Sequence, residues 1–182
     1  MKLKFLILVL GLQTAWLLGT VAVQEHALAT GRVIRLETQP VDPRDLLSGD
    51  YLMLRYKISD VPANLFSPPV EPNLPYGRKI FVALVPGTNG FYTVSRASTN
   101  AFVPAANEIL LKGQSAGRWW NATNSVHVAY GIERYYVAEN TGNPPHGRLT
   151  VQVVVPASGR ARLQQVFLDG QPYEQALKAA AP

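Results

Sequence analysis

Hydrophobic and polar positions change rhythm near residue 31. Before it, Phe5 to Val23 is an apolar run relieved only by Gln13, two threonines and small residues. Its 19 or so residues approach the ~20 that a helix needs to cross a bilayer. After residue 31, apolar residues come in short runs separated by Pro and Gly, the pattern of strands and turns. Arg32 to Glu37 sets Val33, Arg35 and Glu37 against Ile34 and Leu36. Tyr51 to Ile58 sets Leu52, Leu54, Tyr56 and Ile58 against Tyr51, Met53, Arg55 and Lys57. Ile80 to Val85 is apolar on both faces, as in a central strand. Pro86-Gly87-Thr88-Asn89-Gly90 turns it back on Phe91 to Ser95 as a hairpin. Further strands are expected at Glu108–Lys112, Ser125–Val137, Arg148–Val155 and Arg162–Leu168, the last two joined by a turn at Pro156–Arg160. Only Tyr173 to Ala180 reads as a second helix. The segment from Ser59 to Tyr76, with five prolines, reads as a long loop.

Strands without helical crossovers predict a mainly β fold, an antiparallel β-barrel or sandwich, preceded by one N-terminal transmembrane helix. Residues 1–30 are then a membrane anchor with a short stalk, and residues 31–182 one exported β-rich domain. Lys2 and Lys4 precede the apolar run and no Lys or Arg follows it until Arg32. The positive-inside rule leaves the N-terminus in the cytoplasm and the domain outside. A cleaved signal peptide is the rival reading, with Ala27-Leu28-Ala29 as its cleavage site.

The absence of cysteine excludes a disulfide framework and a thiolate metal site. The net charge of +5 comes from cations scattered along the chain, with Arg78-Lys79 the only adjacent pair, which argues against nucleic-acid binding. His26, His127 and His146 do not have the spacing of zinc ligands, and no cofactor or metal is expected. His127 alternates with Val126 and Val128 and belongs on an outer face. Trp119-Trp120 reads as packing over one end of the domain, or as an anchor at a membrane interface.

Two strings carry the most information. The first is Pro40-Val41-Asp42-Pro43-Arg44-Asp45 followed by Gly49-Asp50-Tyr51-Leu52-Met53-Leu54-Arg55-Tyr56. It combines a charged loop, in which the acids and Arg44 can brace one another, with a turn and a strand. Gly49 supplies backbone freedom, Asp50 suits a strand entrance, and Leu54 and Tyr56 share the core face. The second is Tyr130-Gly131-Ile132-Glu133-Arg134-Tyr135-Tyr136-Val137. Unbroken alternation from Val126 places Arg134 and Tyr136 on the core-like face, where an arginine needs a partner. Either a bulge at Gly131 turns Arg134 outward, or Arg134 meets a carboxylate such as Asp50, Glu133 or Glu139.

The two strings, with Leu168-Asp169-Gly170-Gln171-Pro172-Tyr173, resemble the GDYXXLXY protein family, whose pattern falls on Gly49, Asp50, Tyr51, Leu54, Tyr56 and Ile58, preceded by Asp42-Pro43-Arg44-Asp45. The chain departs from it at Ala138, where many relatives carry proline. The resemblance implies a small bacterial protein of the inner (plasma) membrane, with a single-pass anchor and an extracytoplasmic domain. It further implies a multi-spanning membrane protein as partner, and no catalytic residue to carry over. The function expected is an accessory or interaction module for a membrane or envelope protein. A degenerate signal-peptidase-like β-domain or hydrolase is the alternative, suggested by Leu46-x-x-Gly49-Asp50. Its nucleophile position falls on Val41, Ser48 is misplaced, and no serine is paired in sequence with Lys57 or Lys79 as base.

Overall fold

The computed structural model describes residues 2–39, 51–70, 74–116, 124–137 and 147–180. Helix α1 (Lys2–Thr30) runs straight into strand β1 (Arg32–Glu37). At 1.5 Å per residue its 29 residues extend for about 43 Å. It is long and apolar enough to cross a membrane, and no part of its apolar stretch is buried against the rest of the chain. A membrane anchor and a signal sequence both have these properties.

The strands form antiparallel sheets. In the first, β1 pairs with β9 (Leu149–Val155), β9 with β10 (Arg162–Leu168), and β10 with β11 (Gln171–Pro172). The second has five strands in the order β3 (Asp60–Pro62), β7 (Ser125–Ala129), β6 (Ile109–Ser115), β4 (Lys79–Pro86), β5 (Tyr92–Ser98). A short pair joins β2 (Tyr51–Met53) to β8 (Arg134–Tyr136). Among the described residues the sheets do not close into a barrel, and of the two architectures expected the sandwich fits. The hairpin over residues 86–90 and that between β9 and β10 are present, and β4 lies between two neighbours, as expected of a central strand.

One core fills the space between the layers. Ile34, Leu36, Val151 and Val153 come from the first sheet, Val82, Leu84, Leu111 and Val128 from the second, and Leu52, Leu54 and Tyr56 from the segment between them. At Gly113 the strands approach so closely that a Cβ would lie 2.5 Å from Val128 Cγ1 and 2.8 Å from the Ala129 carbonyl oxygen. Helix α2 (Tyr173–Ala180) closes one side, with Tyr173 buried and Leu177 packed against the core.

Three expected elements differ. Tyr51–Ile58 is not one strand: pairing with β8 ends at Met53, and Lys57–Ser59 is a single 3-10 turn. The buried alternation nevertheless persists through Ile58, because neighbours on both sides hold the segment extended. Ser59–Tyr76 is not all loop, since Asp60–Pro62 forms β3 against β7; Pro62 sits at its end, where a missing N–H is tolerated. Ser125–Val137 is divided into β7 and β8, in different sheets, by Gly131 at φ +81°.

Leu54 is buried in the shared core, so Leu54→Ala is expected to cost about 2–5 kcal/mol in a denaturant melt. A loss below about 1 kcal/mol would contradict its placement.

Candidate functional site

Asp42, Arg44, Asp45, Gly49 and Asp50 lie outside the described residues, as do Trp119, Trp120 and Glu139. The remaining residues singled out by sequence come together. The register of β2 on β8 sets Tyr51 opposite Tyr136, Leu52 opposite Tyr135 and Met53 opposite Arg134. One hydrogen bond lies just beyond the end of this ladder, the Leu54 N–H donating to the Glu133 carbonyl at 2.7 Å.

Beyond that step, the chain is held from the other side. Tyr56 bridges Thr38, and the Gln39 N–H donates to the Arg55 carbonyl at 2.7 Å. Residues 51–62 therefore touch β8, the extension of β1 and, through β3, strand β7. One segment ties together all three sheets.

Two buried tyrosines fasten it. Tyr56 Oη donates to the Ile132 carbonyl at 2.6 Å, and Tyr130 Oη donates to the Ile58 carbonyl at 2.7 Å. The bonds run in opposite directions between the same two segments. Burial, assisted by the nearby Glu133 charge, pushes both hydroxyls far above the ordinary tyrosine range, so both remain protonated donors. Glu133 braces the turn from outside: its carboxylate accepts the Tyr130 N–H and, at 2.9 Å, the Gly131 N–H.

This turn answers the question of Arg134. The chain leaves β7 at Tyr130 and turns through the left-handed Gly131, yet Ile132 is still buried in phase with Val126, Val128 and Tyr130; the faces switch between Ile132 and Arg134, and β8 begins with Arg134 and Tyr136 outward. The core-like placement of Arg134 and Tyr136 is thus corrected: the turn between β7 and β8 shifts the alternation after Ile132. Arg134 lies 5.2 Å above the Tyr51 ring, and Tyr51 meets Tyr136 with ring centroids 6.1 Å apart at 59°. Tyr136 is 71% exposed and Met53 41%. The inner residues of both strings are committed to the core, while Tyr51, Arg134 and Tyr136 form an aromatic and cationic patch.

Asp60 escaped the sequence reading, which placed it in a loop. It accepts Arg55 Nη2 and Gln39 Nε2, each at 3.0 Å, and His127 Nδ1 lies 2.8 Å from its other oxygen. Desolvation alone raises its pKa, but the contacts with His127, Gln39 and Arg55 outweigh it and hold the carboxyl below the usual range. Only the cross-strand register, with Asp60 opposite His127, brings these groups together. His127 does alternate with buried Val126 and Val128, but it is partly covered by this contact. Among the described residues, no cluster of three or more His, Asp or Glu side chains is placed to hold a metal ion. Lys57, considered above as a base, is ion-paired with Glu37 at 2.8 Å.

The chain belongs to the GDYXXLXY protein family, whose model matches residues 13–166. No curated protein and no solved structure matches it.

Because the Asp60 pKa is depressed on folding, its contribution is present above the unfolded value near 4 and is lost as pH falls through the folded value. Thermal melts between pH 7 and pH 3 should show wild type losing more stability in acid than Asp60→Asn does, and the two curves converging. Parallel curves would contradict the role given to Asp60. Glu133→Ala is expected to cost about 1–2 kcal/mol through its two unaccepted N–H groups, read in a urea melt.

Proposed function

We propose that the protein is a non-catalytic interaction module of the bacterial inner membrane. Helix α1 is its single-pass anchor, its β-domain lies on the periplasmic or extracellular side, and its partner is a membrane or envelope protein. The observation that carries this reading is the meeting of the two signature strings as β2 and β8. Their inner faces are used up by the core and by the tyrosine bonds. Their outer faces present Tyr51, Arg134, Tyr136 and Met53.

The chemistry of that patch suits recognition. Tyrosine and arginine offer large contact areas with polar ends and are enriched where binding energy concentrates. The Tyr51 ring holds the Arg134 guanidinium in place, which lowers the ordering cost of binding through it. Among the described residues Arg134 makes no ion pair, so its charge is available to a partner. The apolar α1 and the preceding Lys2 and Lys4 support the anchored topology.

The test is crosslinking of the full-length protein in its membrane, followed by purification and mass spectrometry. The variant Arg134→Glu/Tyr136→Ala changes only exposed side chains, and Arg162→Glu on β10 is the control. A membrane or envelope protein captured by wild type and by the control, but reduced at least about tenfold in the double variant, is the expected result. Capture unchanged by the double variant, with its melting intact, would contradict the proposed surface.

A further inference from the structure

We propose that the groove between β1, β9 and the Arg55–Lys57 segment binds an extended acidic peptide segment of the partner, with apolar side chains between its carboxylates. This rests on the reading of the domain as an interaction module and names the chemistry of what it binds.

Two recesses, of about 250 and 300 Å³, share Arg148 as a common wall. Four cations line them, Arg35, Arg55, Lys57 and Arg148, with two acids, Glu37 and Asp169; Arg55 is already paired with Asp60, so Arg35, Lys57 and Arg148 carry the positive face. The charges are layered. Glu37 pairs with both Lys57 and Arg148, and its side chain is only 12% exposed, while theirs are 56% and 59% exposed. One sunken carboxylate thus lies beneath two cations whose outer surfaces face solvent. Those two contacts hold the Glu37 carboxyl below its ordinary range despite partial desolvation, so it remains charged and offsets only one of them.

The arginines are presented for bidentate contacts. Arg148 lies 5.6 Å over the Phe91 ring and Arg35 5.9 Å over Phe167. A guanidinium lying over a ring keeps N–H groups at its edge for a carboxylate. Among the described residues Arg35 has no carboxylate partner. Between the cations the walls carry apolar surface from Met53, Leu149 and the two phenylalanines, alongside Thr38, Gln39 and Thr150. Separated cations with apolar surface between them match a chain carrying acids and hydrophobes better than a single compact anion. The cations also lie toward the end of β1 away from its junction with α1; Arg32 to Glu37 covers about 17 Å of strand. That position favours a protein segment over lipid headgroups.

The test uses the full-length protein in phosphatidylcholine nanodiscs and a fluorescent Glu-Phe repeat hexapeptide, followed by anisotropy. Saturable binding that weakens with salt, and no binding of the matching Lys-Phe peptide, is expected. Arg148→Glu should weaken binding about tenfold or more, Arg35→Gln should also weaken it, and Arg162→Glu should leave it unchanged. If Arg148→Glu fails to melt cooperatively, Arg35→Gln and Lys57→Gln decide the matter. Binding untouched by those variants, or no binding to wild type, overturns the proposal. Displacement by inorganic phosphate at the peptide's own concentration would make this a simple anion site, and loss of peptide binding when phosphatidylglycerol is added would assign it to headgroups; either overturns it. So would binding that appears only after Asp42, Asp45 and Asp50 are all changed to Asn, since the chain's own acids would then be the occupant. No membrane partner takes part in this assay, so its failure leaves the crosslinking result standing, and the reverse also holds.

Discussion

Two tyrosine hydroxyls exchanged between the same two segments hold this domain's arrangement together. Tyr56 reaches Ile132 and Tyr130 reaches Ile58, each burying a polar group that is expensive to leave unpaired. The segment they fasten is too short to form a sheet of its own: β2 has three residues and β3 has three. Its neighbours are the end of β1, strand β8 and strand β7, so it belongs to no single layer. The tyrosines make the crossing point between layers specific, where an apolar contact would leave its register free to slip.

That constraint also divides the labour within the family's signature. Alternation along residues 51–58 sends Leu52, Leu54, Tyr56 and Ile58 into the core, and these positions are explained by packing alone. The other half of the same residues faces away from the core and meets Arg134, Tyr136, Asp60 and Glu37. A motif that first looks like one feature is therefore two. Its inner half fixes the fold, and its outer half gains from the fold a patch of rings and cations.

Much of this was legible in the chain. Alternation at residues 32–37 and 51–58, continuous apolarity at residues 80–85, and the turns at residues 86–90 and 156–160 each carry their physical cause locally. The apolar helix was legible too, and so was the need for an irregularity near Gly131 that frees Arg134 from the core, although Ile132 keeps the old phase and the switch comes one step later. What sequence could not give was proximity. Asp60 and His127 are separated by 67 residues, and neither has a local pattern that points to the other. Glu37 and Arg148 are separated by 111 residues and meet only because β1 and β9 share a register. The strand at residues 60–62 was hidden by the prolines around it, which suggest a loop until β7 is seen to accept an edge strand there.

The most direct measurement of the central claim is a double-mutant cycle on Tyr56→Phe and Tyr130→Phe, by urea unfolding of the full-length protein in detergent. If the two hydroxyls form one brace, each loss weakens the other bond, and the cycle should show a coupling of at least about 0.5 kcal/mol. Strictly additive losses, or single losses near zero, would show that packing holds the crossing segment without the tyrosine bonds and would contradict the account.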